Sequence, residues 1–149
     1  MEMNYFDKQF VERTKNIVET LCKDDYEHDV SLLLNCLLGL VSLPTERSKY
    51  TDIKFKATCV AKLQSMGVIV SSTDDNKTFR TLKNAISHMY IEPLNDHGEI
   101  QSIIFEDREN RDQPAHTKLK FTVTQLKEFA LFVADKHLER IANKKKRHQ

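Results

Sequence analysis

Arg80, Asn84 and His88 lie four residues apart, a spacing that a helix turns into one ridge of neighbouring side chains. The three types suit chemistry on a charged oxygen. An imidazole gains and loses a proton near neutral pH, so it can serve as general acid or base. An amide can orient that imidazole or donate to an oxyanion, and a guanidinium can grip two phosphate oxygens together. Lys83 and Ser87 flank the ridge and add an ammonium and a hydroxyl. With Phe79 at the origin and about 100° per residue, Leu82, Ala85, Ile86, Met89 and Tyr90 join it in an arc roughly 140° wide, the expected core side. Arg80, Asn84, Ser87 and His88 fall opposite, with Thr81 beyond His88 and Lys83 on the far margin, about 140° from His88. The same wheel describes the solvated face of any amphipathic helix. Spacing alone leaves both readings open.

The helix that carries this ridge is expected over residues 77–90, ending ahead of Pro93. Before it, the spacing of Phe6, Phe10, Ile17 and Leu21 predicts a first helix over 4–23. A second runs from Asp29, its N-cap, through Val41, apolar nearly all round and stopping before Pro44. A polar loop over 45–51 leads to a third helix from Ile53 to Met66, with Gly67 as its stop and a turn over 71–76 behind it. After the ridge, 100–105 and 118–123 read as a hairpin around a charged loop. A last helix begins near Thr124 as N-cap, with Leu126, Phe129, Ala130, Val133 and Ile141 as its core stripe and Leu131 and Phe132 on a second face. The expectation is one mainly helical domain over 1–143 and a basic tail over 144–149.

Three Gly and three Pro in 149 residues leave few turns and long elements. A chain this long buries roughly two-thirds of its unfolded surface, so its core needs neither disulfide nor metal. The net charge is +1, but Lys144, Lys145, Lys146 and Arg147 supply four of the positive charges, and the rest leans acidic. Such a body does not coat nucleic acid non-specifically, so any RNA contact must be local. The tail can hold RNA or an acidic partner, or it is a solvated end. Arg108, Arg111 and His116 either flank a cleft or sit on a surface tip. Cys22, Cys36 and Cys59 are odd in number and widely spaced, which suits buried thiols in a reducing compartment. His137 falls on the last helix's core stripe as a hydrogen-bonded structural histidine, and His28 and His97 lack neighbours at metal-ligand spacing. No metal and no cofactor are expected. So few glycines also speak against a phosphate-cradling loop or a nucleophile elbow, and with them nucleotide hydrolysis and serine-hydrolase chemistry. Met1 to Asp7 shows no basic start or apolar run, and the apolar stretch from Val30 to Leu43 is interrupted by Asn35. No secretory signal, no membrane span and a cytoplasmic location are expected.

Leu82-Lys83-Asn84-Ala85-Ile86-Ser87-His88 resembles the signature of the HEPN family, in which Arg-Asn is followed after three residues by His on a late helix. Tyr26 to Leu40, closed by Pro44-Thr45-Glu46, is similar to the second helix of small stand-alone bacterial HEPN proteins, and the strand pair leading into Phe121 to Leu126 resembles the same branch. The resemblance extends to about Ala142. It implies an up-and-down four-helix-type bundle with an added β-hairpin before the last helix, and a homodimer whose two motifs line one cleft. It also implies metal-independent endoribonuclease activity on RNA in toxin–antitoxin, phage-defence or RNA-processing systems, with an antitoxin or regulatory protein as partner.

Carried over, His88 is the acid or base that helps a 2′-hydroxyl attack the neighbouring phosphate to leave cyclic-phosphate ends, and Asn84 orients it. Lys83 stands where the family has arginine, and Arg80 and Ser87 are the substrate-binding candidates beside it. Lysine keeps the charge but loses the planar fork, at a cost on the order of 1.5–3 kcal/mol for one charge-assisted bond. That substitution also supports a second reading, a non-catalytic HEPN dimer module that binds RNA, a nucleotide or a partner protein. A plain helical interaction protein is the third.

Overall fold

Leu126, Phe129, Ala130, Val133, Ala134, His137 and Ile141 are buried, so the stripe expected of the last helix is the seam on which the other elements close. The computed structural model describes residues 5–22, 27–47, 52–68, 75–96, 99–108 and 117–147. The elements are α1 (Tyr5–Leu21), α2 (Glu27–Arg47), α3 (Asp52–Ser65), α4 (Asp75–Ser87), β1 (Ile91–Asp96), β2 (Glu99–Asp107), β3 (Thr117–Thr122) and α5 (Val123–Arg147). α5 packs on α1, α2 and α3, whereas α4 is enclosed by α2, α3 and the sheet. At the α1–α2 crossing Gly39 makes room for the Phe10 ring, whose Cζ would stand 2.7 Å from a Cβ there. The three cysteines are buried and unpaired. Burial raises all three thiols, Cys36 to about 11 and Cys59 to about 12, so they remain protonated and unreactive.

Besides the core face of α1, which buries Val11, Val18 and, just past its end, Cys22 and leaves Leu21 58% exposed, four expectations need correction. First, α2 does not stop before Pro44 but continues to Arg47. Proline has no N–H, so in a helix the Leu40 carbonyl four residues earlier loses its usual donor. His137 of α5 replaces it, its Nε2–H donating to the Leu40 oxygen at 2.7 Å. The ring is fully buried, stacks on Phe55 at 4.5 Å between centroids, and accepts at Nδ1 from Arg140 Nη2 at 3.3 Å. Those partners settle its tautomer.

Second, the sheet has three strands rather than a hairpin, in the order β1-β2-β3, both pairs antiparallel. Pro93 reads as an element stop, yet it sits within β1 opposite Ile103. An edge strand tolerates the missing donor.

Third, the cap of α5 is Thr122 and not Thr124. Thr122 Oγ1 accepts from the Gln125 N–H at 3.1 Å and Gln125 Oε1 accepts from the Thr122 N–H at 2.9 Å, a capping box that Thr124, with Lys127 three residues on, cannot make. Gln125 also donates from Nε2 to the Met66 carbonyl at 2.9 Å, tying α5 to the end of α3. The far end of α5 carries the backbone of the basic run in helical form as far as Arg147.

Fourth, α4 ends at Ser87 rather than Tyr90. α3 and α4 end in the same way. Val68 N–H bonds the Leu63 carbonyl at 3.0 Å and Gly67 N–H that of Gln64 at 3.1 Å; Tyr90 N–H bonds Ala85 at 2.8 Å and Met89 N–H bonds Ile86 at 3.3 Å. Both are Schellman closures, which place one residue in the left-handed region. In α3 that residue is Gly67 at φ +79°, but in α4 it is Met89 at φ +59°. Met89 is thereby rotated off the helical projection, and it is 70% exposed rather than in the core. Thr81 departs in the other direction, being fully buried with its hydroxyl donating to the Lys77 carbonyl at 2.8 Å. The loop over 48–51, the turn positions 71–74, His97, Arg111 and His116 lie outside the described residues, as does the side chain of His28.

Two outcomes follow. Burial, opposed by the Leu40 bond and reinforced by the Arg140 charge, lowers the pKa of His137 from the usual 6.5 to about 4. The unfolded chain therefore binds a proton that the native state refuses between those values. The associated stability is complete above pH 6.5 and falls by about 3 kcal/mol as the pH drops to 4. Urea unfolding across this range should show the slope in the wild type and lose it in His137→Phe. That substitution should also cost about 1 kcal/mol less in a Pro44→Ala background, where residue 44 regains an N–H for Leu40. Met89→Gly should raise stability by about 1 kcal/mol, since a non-glycine side chain is strained at positive φ.

Candidate functional site

The ridge of α4 ends where its helix does. His88 N–H makes the last helical bond, to the Asn84 carbonyl at 2.9 Å, and the Schellman turn then reverses the chain into β1. The imidazole thus stands at the C-cap, exposed, with its ring 5.9 Å from that of Tyr90 and inclined to it by 33°. Glu106 N–H donates to the Tyr90 carbonyl at 3.0 Å and carries the β1–β2 ladder one step past Ile91–Phe105. Through this ladder the end of β2 comes up beside Tyr90.

β2 ends in Glu106-Asp107 followed by Arg108. Successive residues of a strand face opposite sides, and here each acidic side chain meets a different cation. Asp107, buried, pairs with Arg80 of α4, Oδ2 to Nη2 at 3.4 Å. Arg80 is 59% exposed at its side chain, so it is held from one side and open to water on the other. Glu106, 10% exposed at its side chain, receives Arg108 through Nε at 2.5 Å and also through Nη2, both on Oε2, while Lys118 Nζ lies 3.7 Å from Oε1. A buried carboxylate with two cations is compensated for its lost hydration. Met89, Tyr90, Ile91, Glu92, Glu106 and Arg108 line a cavity of about 300 Å³ at this junction.

Of the residues singled out from spacing, Arg80 and His88 mark the two ends of the ridge, one pinned to β2 and the other beside Tyr90. Lys83 and Asn84 are half-buried between them, and Ser87 is exposed. The face expected to be solvated is therefore only partly so. Sequence reasoning missed Glu106, Asp107 and Tyr90, the first two read as loop and the third as core. One signal was present: an apolar alternation through Ile103 and Phe105 that runs into Glu-Asp-Arg places charges on a strand end. Arg108, weighed as a loop residue, is one position beyond β2. Among the described residues no group of three His, Cys, Asp or Glu gathers as a metal would require, and no helix is long and apolar enough to cross a membrane.

Comparison with known proteins bears on the whole of this arrangement. No curated protein and no solved structure matches the chain. A family model described as HEPN pEK499 p136 matches residues 1–144, which include α1 to α4, the sheet and all but the last turn of α5. With nearly its full length covered, ridge and cavity included, the chain belongs to the HEPN pEK499 p136 family.

Proposed function

We propose that this protein is a metal-independent endoribonuclease acting as a homodimer. The observation that carries the reading is the position of His88: the one titratable ring of the HEPN-like motif is exposed at the end of α4, next to the Tyr90 ring, in a chain of HEPN membership. HEPN domains generally act as dimers. Side chains about 140° apart on one helix do not converge on one atom, but two copies of α4 facing across a two-fold axis can enclose a phosphate between them.

In that cleft His88 of one copy accepts the proton of an RNA 2′-hydroxyl as its oxygen attacks phosphorus. The 5′-oxygen leaves and takes a proton from the other imidazole, giving a 2′,3′-cyclic phosphate and a 5′-hydroxyl. Asn84 orients the imidazole, and Lys83 supplies positive charge to the crowded phosphate. Arg80, fixed by Asp107, and Ser87 contact the RNA strand on either side. The chemistry suits a toxin or a phage-defence effector held in check by an antitoxin. Lys83 at the arginine position favours one second reading, a HEPN dimer that binds RNA, a nucleotide or a partner without cleaving.

Total RNA and tRNA incubated with EDTA and wild type, Lys83→Arg or His88→Ala protein decide between them. Cyclic-phosphate ends are expected from wild type, a loss of at least about 100-fold in His88→Ala, and a gain of roughly tenfold in Lys83→Arg. No cleavage even by Lys83→Arg moves the function to binding. Sedimentation at micromolar concentration should show a dimer, and a monomer there counts against either reading.

A further inference from the structure

α5 keeps its helical backbone through Lys144-Lys145-Lys146-Arg147. We infer that this basic turn, set at the end of the bundle where α2 stops and α3 begins, is an RNA-docking surface that holds the phosphodiester backbone at a distance from the motif. The inference rests on the ribonuclease reading for the identity of the polyanion as RNA. The family match ends at residue 144, so three of these four cations lie beyond it.

Three helices bring their ends together there. Cys22 feels the charges of both Asp29 and Lys127, and His137 bonds Leu40, so α2 and α5 run in the same direction and nearly in step. Arg47 and Lys144 each stand seven residues beyond that bond. α3 runs the other way, with Lys62 on Glu128 and Phe55 on His137, which puts its first turn at the same end. Charge gathers with the helix ends. α2 brings Glu46 and Arg47, the first five residues of α3 bring Asp52, Lys54 and Lys56, and α5 brings Arg140 ahead of its four. Eight cations against two carboxylates is a net +6, and since the whole chain is +1, the remainder carries −5. A polyanion is steered to this end and repelled from the rest. Lys56 is buried and Arg140 is engaged by His137 and Phe55, so these two add to the field without offering contacts.

No residue from Arg140 to Gln149 is acidic, so none of the four cations can make the ion pair with a neighbouring turn that Lys8, Lys15 and Lys136 make. Their positions are about 100° apart, which makes a collar around the helix rather than a stripe. Ile141 is buried and Ala142 and Asn143 are exposed, so the collar follows where α5 leaves the core. Such a collar binds a phosphate chain without selecting sequence, and as a continuation of an anchored helix it costs less ordering than a free tether. α4 links it to the motif. Phe79 lies against Phe55, 6.2 Å between centroids, so α4 starts near the basic end. Its exit turn joins the sheet, which rests through Phe121 on Phe129, eight residues before His137 on α5. From Phe79 to His88 is about 14 Å of chain at helical rise. A long RNA on the collar follows α4 to the imidazole, whereas a dinucleotide at the imidazole does not reach the collar.

The surface binds and does not react, so its loss should appear in Kd, and in KM for long RNA, rather than in kcat. The test uses the full chain as wild type, Lys144→Gln/Lys145→Gln/Lys146→Gln/Arg147→Gln, Lys144→Arg/Lys145→Arg/Lys146→Arg and His88→Ala. Each is titrated with a labelled 2′-O-methyl RNA of about 30 nucleotides, which cannot be cleaved and exceeds a single-strand site, over a series of salt concentrations, and with poly-glutamate in parallel. Each is also assayed for cleavage of the matching RNA and of a dinucleotide. The glutamine variant should bind the RNA about 10- to 100-fold more weakly and flatten the dependence of log Kd on log salt by roughly 2 to 3, at about 0.7 per phosphate contact on a single strand. Glutamine has nearly the helix propensity of lysine, so an unchanged circular dichroism spectrum verifies its fold. The arginine variant and His88→Ala should keep the wild-type salt slope. In the glutamine variant KM for the long RNA should rise about as far as Kd, with dinucleotide cleavage unaltered. Wild-type Kd and salt slope in the glutamine variant overturn the surface, as does RNA that fails to bind the wild type. Poly-glutamate binding as tightly as the RNA assigns the surface to an acidic protein and also overturns it, and an equal rise in KM for the dinucleotide does so by placing the charges at the motif. The ribonuclease reading stands or falls separately on His88→Ala. If the wild type does not cleave, the binding titration alone decides the surface.

Discussion

One hydrogen bond sets how the central helices lie along one another: His137 Nε2–H to the carbonyl of Leu40, at 2.7 Å in the fully buried seam between α5 and α2. A helix that passes through proline carries a carbonyl without its donor, and a buried carbonyl left that way costs about 1–3 kcal/mol. Supplying the donor from another helix fixes where that helix must lie along α2, and it fixes the ring's protonation state as well. Phe55 covers one face of the imidazole, with the Arg140 guanidinium carbon 4.9 Å from the centre of the Phe55 ring. Three helices are thus registered on one heterocycle. Apolar packing alone would tolerate small slides between them; this bond does not.

The registration matters because the candidate site is assembled from the far ends of elements. α4 contributes Arg80 and His88, β1 contributes Tyr90, and β2 contributes Glu106 and Asp107 with Arg108 just beyond. α4 is wedged between α2, α3 and the sheet. Its exit is a tight turn closed by two backbone bonds at the expense of a strained methionine. Strain of this kind persists where surrounding structure determines the backbone, and it concentrates near functional groups. The buried carboxylates at the end of β2 divide their work. Asp107 faces the helix and secures Arg80, whereas Glu106, on the opposite face of the strand, is covered by Arg108 and Lys118.

Much of this was legible from residue order, and the parts that were not share a cause. The apolar stripe of α5, the burial of all three thiols and the structural role of His137 followed from pattern, whereas α1 buries Val11, Val18 and, just past its end, Cys22 and leaves Leu21, expected on its core face, 58% exposed. Gly67 marked the end of α3 because glycine is the residue most at ease at positive φ. The end of α4 escaped notice because methionine fills the same place, and no local rule selects it. Pro44 and Pro93 misled in opposite elements for one reason: the missing donor was taken as a stop, although a distant imidazole replaces it in α2 and an edge position excuses it in β1. Glu106 and Asp107 read as solvated loop because their cations come from Arg80, Arg108 and Lys118, two of them far away in sequence.

Pro93 has a consequence for how copies of this chain can meet. β1 is an outer strand, and it carries a proline; opposite its Leu94–Asn95 step the inner strand β2 bulges by one residue, Gln101. A six-residue edge with a proline inside it and a register shift behind it is short and irregular, and offers another backbone no full row of donors. Growth of the sheet from that side into a neighbouring molecule is disfavoured. A two-fold pairing that used this edge of the sheet would therefore depend on side chains more than on backbone bonds.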